Sequence, residues 1–404
     1  MSSNKLRPLP LLTEINIFIL NVAFAIIHVV LKPTGLEPAV SAFCFGNLFG
    51  LFIPYVGIIA AFVHVIIRPL MDWILYSGAY EAIILDNKYR WLGLLLAINF
   101  VVALMDKSHL NVEGANFRFR LSSNVMARAA LSFWSASYEY LQMSIVWDEN
   151  AELPPDGQYI FACHPHGECF IIIYLLISFS LSSFTSDLTT LYKGIHCTPL
   201  GLFHCKGTPF DERFPGICEN KLSGIAATIV FKLPGVREFF LPLPYIDASR
   251  SVVEDALKAN RSLFICTGSG EESLLTKRGE DVLVLSKRKG FVRLALSYGC
   301  DIVPIFGIGN SDLFKTYSIG MGMRMWLHKK LHISIPIFHG RYLTPLPYKV
   351  PVRVVVGEPL VVPKPKVRGE RPDDAVVEEY LKKYIERVKE LHKKHAPGRK
   401  LRIL

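Results

Sequence analysis

The chain has 404 residues, 45 Lys plus Arg against 35 Asp plus Glu for a formal net charge of +10, and 51 % apolar residues. Phe, Ile, Leu and Val spread over this length exclude disorder as the main state. A positive mean hydropathy with only 20 % charged residues is high for a soluble chain of this size, so the apolar excess must be localised, and it points to a protein that lives in or on a membrane.

The excess lies in four runs without Asp, Glu, Lys or Arg: 15–31, 39–67, 91–105 and 169–186. The second, at 29 residues, exceeds the roughly 20 needed to cross a bilayer. The first is weakened by Asn16, Asn21 and His28 but is joined to the second by the short Pro- and Gly-containing break 32–38, which suits a helical hairpin. Lys5 and Arg7 before the hairpin and Arg68 after it put positive charge at both outer flanks, so both are expected on the cytosolic side. Pro54 and Gly57 leave a re-entrant second arm open. No small-residue cleavage site follows the first run, so the segment reads as an uncleaved anchor. The run 91–105 is short for a span and reads as a buried or interfacial helix. These features predict a membrane hairpin with an interfacial helix over 1–110, followed by a cytosolic, membrane-associated domain over 111–404. Eight cysteines without a C-x-x-C pair or a dense framework fit a reducing compartment.

From about residue 154 short β-branched runs appear, each ending in polar or small residues. The run 159–163 leads into His164-Pro165-His166-Gly167, and 263–266 into Thr267-Gly268-Ser269-Gly270-Glu271-Glu272. Likewise 301–306 leads into Gly307-Ile308-Gly309-Asn310, and 352–356 into Gly357-Glu358-Pro359. Helical stretches such as 286–298 separate them, which predicts an α/β fold with a mainly parallel sheet and flanking helices. In such sheets the ligand sits beyond the carboxyl ends of the strands, where these polar segments are expected to fall.

The tail from Lys364 onward carries 13 Lys or Arg against 7 Asp or Glu. Val377, Leu381, Tyr384, Val388 and Leu391 recur at three and four residues, predicting an amphipathic helix capped by Asp373 or Asp374 and stopped by Pro397-Gly398. Its stripe suits either the core or an anionic lipid surface. Nucleic acid is excluded as a partner because no groove-reading or aromatic-interleaved motif accompanies the charge.

The chemistry-bearing residues cluster in the polar segments. His164 and His166 flank a rigid proline at the border of a strand and an apolar run, and an imidazole can take and return a proton near neutral pH. Gly167 permits close backbone approach. Glu272 can accept the far ring N–H of a histidine and fix its tautomer, although a first-turn helical Glu needs no such role. Lys287, Arg288 and Lys289 open a helix and suit phosphate groups. His339 and Arg341 supply a further imidazole and guanidinium. The nucleophile elbow of serine hydrolases and the glycine-rich nucleotide signatures are absent from the sequence. His196-Cys197 and His204-Cys205 do not have the usual zinc spacing, so no metal is expected. Cys163 or Ser269 as a covalent nucleophile is the rival enzymatic reading, and a catalytically silent lipid-binding or droplet-coating protein is the rival of another class.

Together, His164 to Gly167, Arg237-Glu238 with Ser249-Arg250, Gly268 through Leu274, the segment from Arg288 and Gly290 to Leu296, Val303-Pro304-Ile305, Ile337 to Arg341 and Val356 to Pro359 resemble the diacylglycerol acyltransferase type 2 family, which includes monoacylglycerol and wax-alcohol acyltransferases. The resemblance runs from about 155 to 395 with its blocks in family order. It implies an acyltransferase domain of glycerolipid-acyltransferase type in the endoplasmic reticulum membrane and on lipid droplets, with acyl-CoA as co-substrate, diacylglycerol or a related lipid alcohol as acceptor, no cofactor, and room for a homo-oligomer. On this reading His166 is the general base, His164 supports the loop or holds substrate, and Glu272 orients the base. Gly167, Gly268, Gly270, Lys287, Arg288, Lys289, Gly290, Asn310, His339, Gly340 and Arg341 line the substrates. Ser269 stands where the family has a second glycine, and Asn310 where it often has an acid.

Overall fold

Residues 159–164 are apolar at every position but the last and are buried on both faces, the signature of a strand inside a covered parallel sheet. The computed structural model describes residues 140–165 (143 and 155 excepted), 222–232, 245–331, 334, 336–343 and 346–404, with scattered positions before 111. Within them a seven-stranded sheet is built from β1 (Ser144–Trp147), β2 (Tyr159–His164), β3 (Leu222–Ala226), β4 (Tyr245–Asp247), β5 (Ser262–Cys266), β7 (Asp301–Ile308) and β10 (Arg353–Val356), in the order β1-β10-β7-β2-β5-β3-β4. Neighbours pair in parallel except β10 with β7, which is antiparallel, with Arg353 opposite Ile308. The mainly parallel α/β sheet is as expected. One expectation is corrected: because β10 runs the other way, Gly357-Glu358-Pro359 leaves it at the edge opposite the other polar segments. Gly357 there serves packing, since a Cβ would stand 2.9 Å from Leu391 and Pro304.

The even positions of β2 and β7 join Leu263 and Val355 in one core with three helices: α1 (Arg250–Lys258), α3 (Gly290–Tyr298) and α5 (Asp374–His395). In α5, Val377, Leu381, Tyr384, Val388 and Leu391 are all buried in this core, so of the two surfaces open to the stripe it takes the protein interior. Asp373 caps α5 by accepting the Ala375 amide at 3.0 Å, satisfying a donor that the first turn leaves without a helical partner. The helix predicted from 286 begins four residues later, so the basic cluster forms a turn ahead of α3 rather than its first turn. Gly299 ends α3 in the left-handed region at φ +67°, which a side chain would strain.

Three smaller pieces frame the sheet. β6 (Glu280–Leu283) pairs in parallel with β11 (Lys400–Ile403), β8 (Lys315–Thr316) pairs antiparallel with β9 (Phe338–His339), and α4 (Met321–Leu331) packs on α2 (Ser269–Leu275). Among the described residues no helix is long and apolar enough to cross a membrane. The greater part of the 1–110 hairpin, the run 169–186, His166, Gly167, His196-Cys197 and His204-Cys205 lie outside the described residues.

Candidate active site

Parallel pairing brings the ends of β2, β5 and β7 to one edge, so His164, Thr267 and Asn310 meet although they are far apart in sequence. His164 is fully buried. Its Nε2 lies 2.9 Å from the Tyr384 hydroxyl, the Thr267 hydroxyl lies 3.2 Å from its Nδ1, and Tyr384 donates to Ala162 O at 3.3 Å. One proton arrangement satisfies every group. Tyr384 gives its hydroxyl proton to Ala162 O and accepts His164 Nε2–H, while Nδ1 accepts from Thr267. Burial, opposed by Cys266, brings the His164 pKa down to about 4, so near neutral pH the ring is uncharged. The ring is out of reach of solvent.

Pro165, the next residue, has its carbonyl held by Asn310 Nδ2 at 3.4 Å. Asn310 is buried, and among the described residues its Oδ1 has no hydrogen-bond partner. His164 and Pro165 are thus held from the ends of β5 and β7 and from α5 together.

Glu272 is also fully buried, and its Oε2 accepts the Val284 amide at 2.8 Å. The carboxylate lies so close to Gly268 that a Cβ there would stand 2.0 Å from Oε2, which accounts for glycine at 268. Gly270 is needed for a different approach: its Cβ would stand 1.8 Å from Ser334 Oγ. Arg288 bridges this turn to the basic cluster, donating to Glu271 Oε2 at 2.9 Å and to Gly268 O at 3.4 Å. Lys289 is paired with Glu378 of α5. Lys287 is exposed, as is Gly290, where nothing lies within 4 Å of an added Cβ.

His339, Gly340 and Arg341 form a second group on and after β9. His339 Nδ1 donates to Gly340 O at 2.7 Å, and its ring lies between those of Tyr317 and Tyr348. Arg341 reaches the hydroxyls of Tyr140 at 3.4 Å and Tyr342 at 3.0 Å. Gly340 meets backbone, since a Cβ would stand 1.7 Å from Leu346 O.

A family model described as diacylglycerol acyltransferase matches residues 194–401, more than half of the chain. The chain belongs to the diacylglycerol acyltransferase family. It is 30 % identical to the human diacylglycerol O-acyltransferase 2 over 65 % of its own length and 62 % of that protein. The diacylglycerol O-acyltransferase 2B of Umbelopsis ramanniana is 29 % identical over 66 % of this chain and 70 % of its own. The acyl-CoA wax alcohol acyltransferase 2 of Mus musculus is 30 % identical over 65 % and 72 %. Among solved structures, the 1-acyl-sn-glycerophosphate acyltransferase of Thermotoga maritima aligns over 76 % of this chain and 99 % of its own, at 14 % identity and a TM-score of 0.35.

Two features of this acyltransferase family member bear on the chemistry. Cys163 is buried, and burial first, then Cys266 and Glu272, push its thiol well above the ordinary range, the opposite of an activated nucleophile. Tyr384 is a positioning residue that sequence reasoning placed only in an apolar stripe. The available signal was a hydroxyl in the middle of a buried helix face, which needs a partner.

Proposed function

We propose that this protein transfers a fatty acyl group from acyl-CoA to the hydroxyl of diacylglycerol, releasing CoA and forming triacylglycerol. The observation that carries the reading is the convergence of His164-Pro165, the glycine turn at 268–270 and Arg288 of the basic cluster on one sheet edge, in a chain whose family is established. In this account His166 takes the proton from the acceptor hydroxyl as the oxygen attacks the thioester carbonyl, without an acyl-enzyme. General-base help of this kind is commonly worth about 10²–10⁴-fold. Amides of the 268–270 turn face the developing oxyanion, a role worth about 3–4 kcal/mol per donor in other enzymes. Lys287 meets CoA phosphate, and Glu272, buried behind the turn, orients the base. His164 supports the segment that follows it.

The proposal extends to residues 1–110 as a membrane hairpin with an interfacial helix, with 111–404 as the cytosolic catalytic domain in the endoplasmic reticulum membrane and at lipid droplets. The bilayer then delivers the acceptor laterally. The wax alcohol acyltransferase 2 of Mus musculus and the 2-acylglycerol O-acyltransferase 3 of Homo sapiens match at 30 % and 29 % identity, so a fatty alcohol or a monoacylglycerol is the second acceptor reading. The test supplies purified full-length protein in detergent with radiolabelled acyl-CoA and, separately, diacylglycerol, monoacylglycerol or fatty alcohol. Triacylglycerol is the expected main product. A main product from another acceptor would shift the substrate, and no ester at all would leave a silent lipid-binding protein.

A further inference from the structure

The outward face of α4 reverses the ordinary sorting of side chains. Ile319, in the turn before the helix, and Met323 and Trp326 within it are 69 %, 67 % and 56 % exposed at spacings of four and three, while Arg324 is buried. The Arg324 guanidinium is satisfied internally, donating to Ile319 O at 3.0 Å and Tyr317 O at 2.5 Å. An apolar patch turned to solvent while a cation is turned inward marks an interaction surface, because neither placement is favourable for a helix that meets only water. The sequence flanking it is one-sided in charge. From Leu313 to Gly357 the sequence has seven Lys or Arg and no Asp or Glu, and Lys329 and Lys330 are exposed at the end of the stripe.

A large aromatic, flexible apolar side chains and terminal lysines on one exposed face match the headgroup boundary of an anionic bilayer, where the ring sits at the interface and lysine stems reach up to phosphate. We propose that α4 is a docking helix that seats Ile319, Met323 and Trp326 in the interface of an anionic phospholipid leaflet, with Lys329 and Lys330 at the level of the phosphates. The helix is coupled to the candidate active site. His328 Nδ1 lies 2.9 Å from Ser334 Oγ, the same oxygen that abuts Gly270, and α4 packs on α2. Docking therefore sets the catalytic edge beside the leaflet that holds a lipid acceptor. The docking itself does not depend on the acyl-transfer reading, because it is read without turnover.

The experiment reconstitutes the full-length protein into phosphatidylcholine–phosphatidylserine vesicles whose acyl chains carry bromine, and records tryptophan fluorescence. Trp326→Phe should remove a bromine-quenched component equal to one tryptophan's share of the five in the chain. Met323→Glu, at an exposed position that does not threaten folding, should weaken the quenching of Trp326, as should omission of phosphatidylserine. Equal quenching in wild type and Trp326→Phe would overturn the proposal. So would a Trp326 shielded from both bromolipid and aqueous iodide, which would mean that another segment or a second copy covers the face. Quenching of Trp326 that is indifferent to phosphatidylserine would overturn the anionic selectivity.

Discussion

The His164 ring is held neutral between a tyrosine and a threonine hydroxyl, and that state carries a pH signature. Its folded pKa of about 4 lies below the roughly 6.5 of a free histidine, so between these values the unfolded chain binds the extra proton. The stabilising difference is fully present above about pH 6.5 and is lost as pH falls toward 4, amounting to about 3 kcal/mol over that window. Denaturant unfolding of the wild type should therefore weaken by about 1.4 kcal/mol per pH unit on acidification from 6.5. His164→Asn, with no titrating ring, should lose that slope while being less stable at pH 7. An unchanged slope in the variant would show that the ring is not buried and neutral. His395 shifts in the same direction, chiefly through burial, but it is only partly buried and its contribution is common to both proteins. Asp281 titrates outside this window. Burial raises its pKa, but His392 and Arg399 more than offset that and hold the carboxyl below its ordinary value.

At the scale of elements, the Asp281 group shows how the C-terminal segment is locked in place. Asp281 on β6 is fully buried and accepts from Arg399 at 2.9 and 3.0 Å and from Ser311 at 3.1 Å, with His392 Nε2 also 3.1 Å away. Arg399 also reaches Asp312 at 2.6 Å, two residues beyond Asn310. One guanidinium thus joins the segment after α5, β6 and the turn that follows β7. Removing one partner of a buried ion pair leaves an uncompensated charge, which typically costs about 3–5 kcal/mol. Arg399→Ala should lower the unfolding free energy by that order, read from denaturant titration, whereas Lys400→Ala, at an exposed position, should not; equal effects would contradict the assignment. The sequence made β2, β5 and β7 legible, because uninterrupted β-branched runs ended by polar residues have few other readings. The direction of β10 was not legible, since a strand's composition carries no polarity and only its pairing with β7 reveals it. Likewise the α5 stripe could satisfy a core, the reading its pattern favours and the structure shows, or a leaflet. Neither the buried Arg324 nor the contacts of Tyr384 follow from periodicity: Arg324 is held by the carbonyls of Tyr317 and Ile319 in the turn just before its helix, and Tyr384 meets a ring and a carbonyl supplied by the distant β2.

Across the whole molecule, one face of the sheet carries α1, α3 and α5, and the carboxyl edge carries the glycine turn, the basic cluster and the anchored start of the histidine loop. The proposed docking helix and membrane hairpin place that edge against the bilayer, so the water-soluble acyl-CoA and the lipid acceptor approach from different phases. His164, Glu272 and Asn310, legible in the sequence as chemistry, are all buried, and the proposed proton transfer is assigned to His166. The most direct measurement is incorporation of radiolabelled acyl-CoA into triacylglycerol by microsomes containing equal amounts of wild-type protein and His166→Ala. The account predicts a loss of at least about 10²-fold at unchanged protein level. Turnover equal to wild type would contradict it.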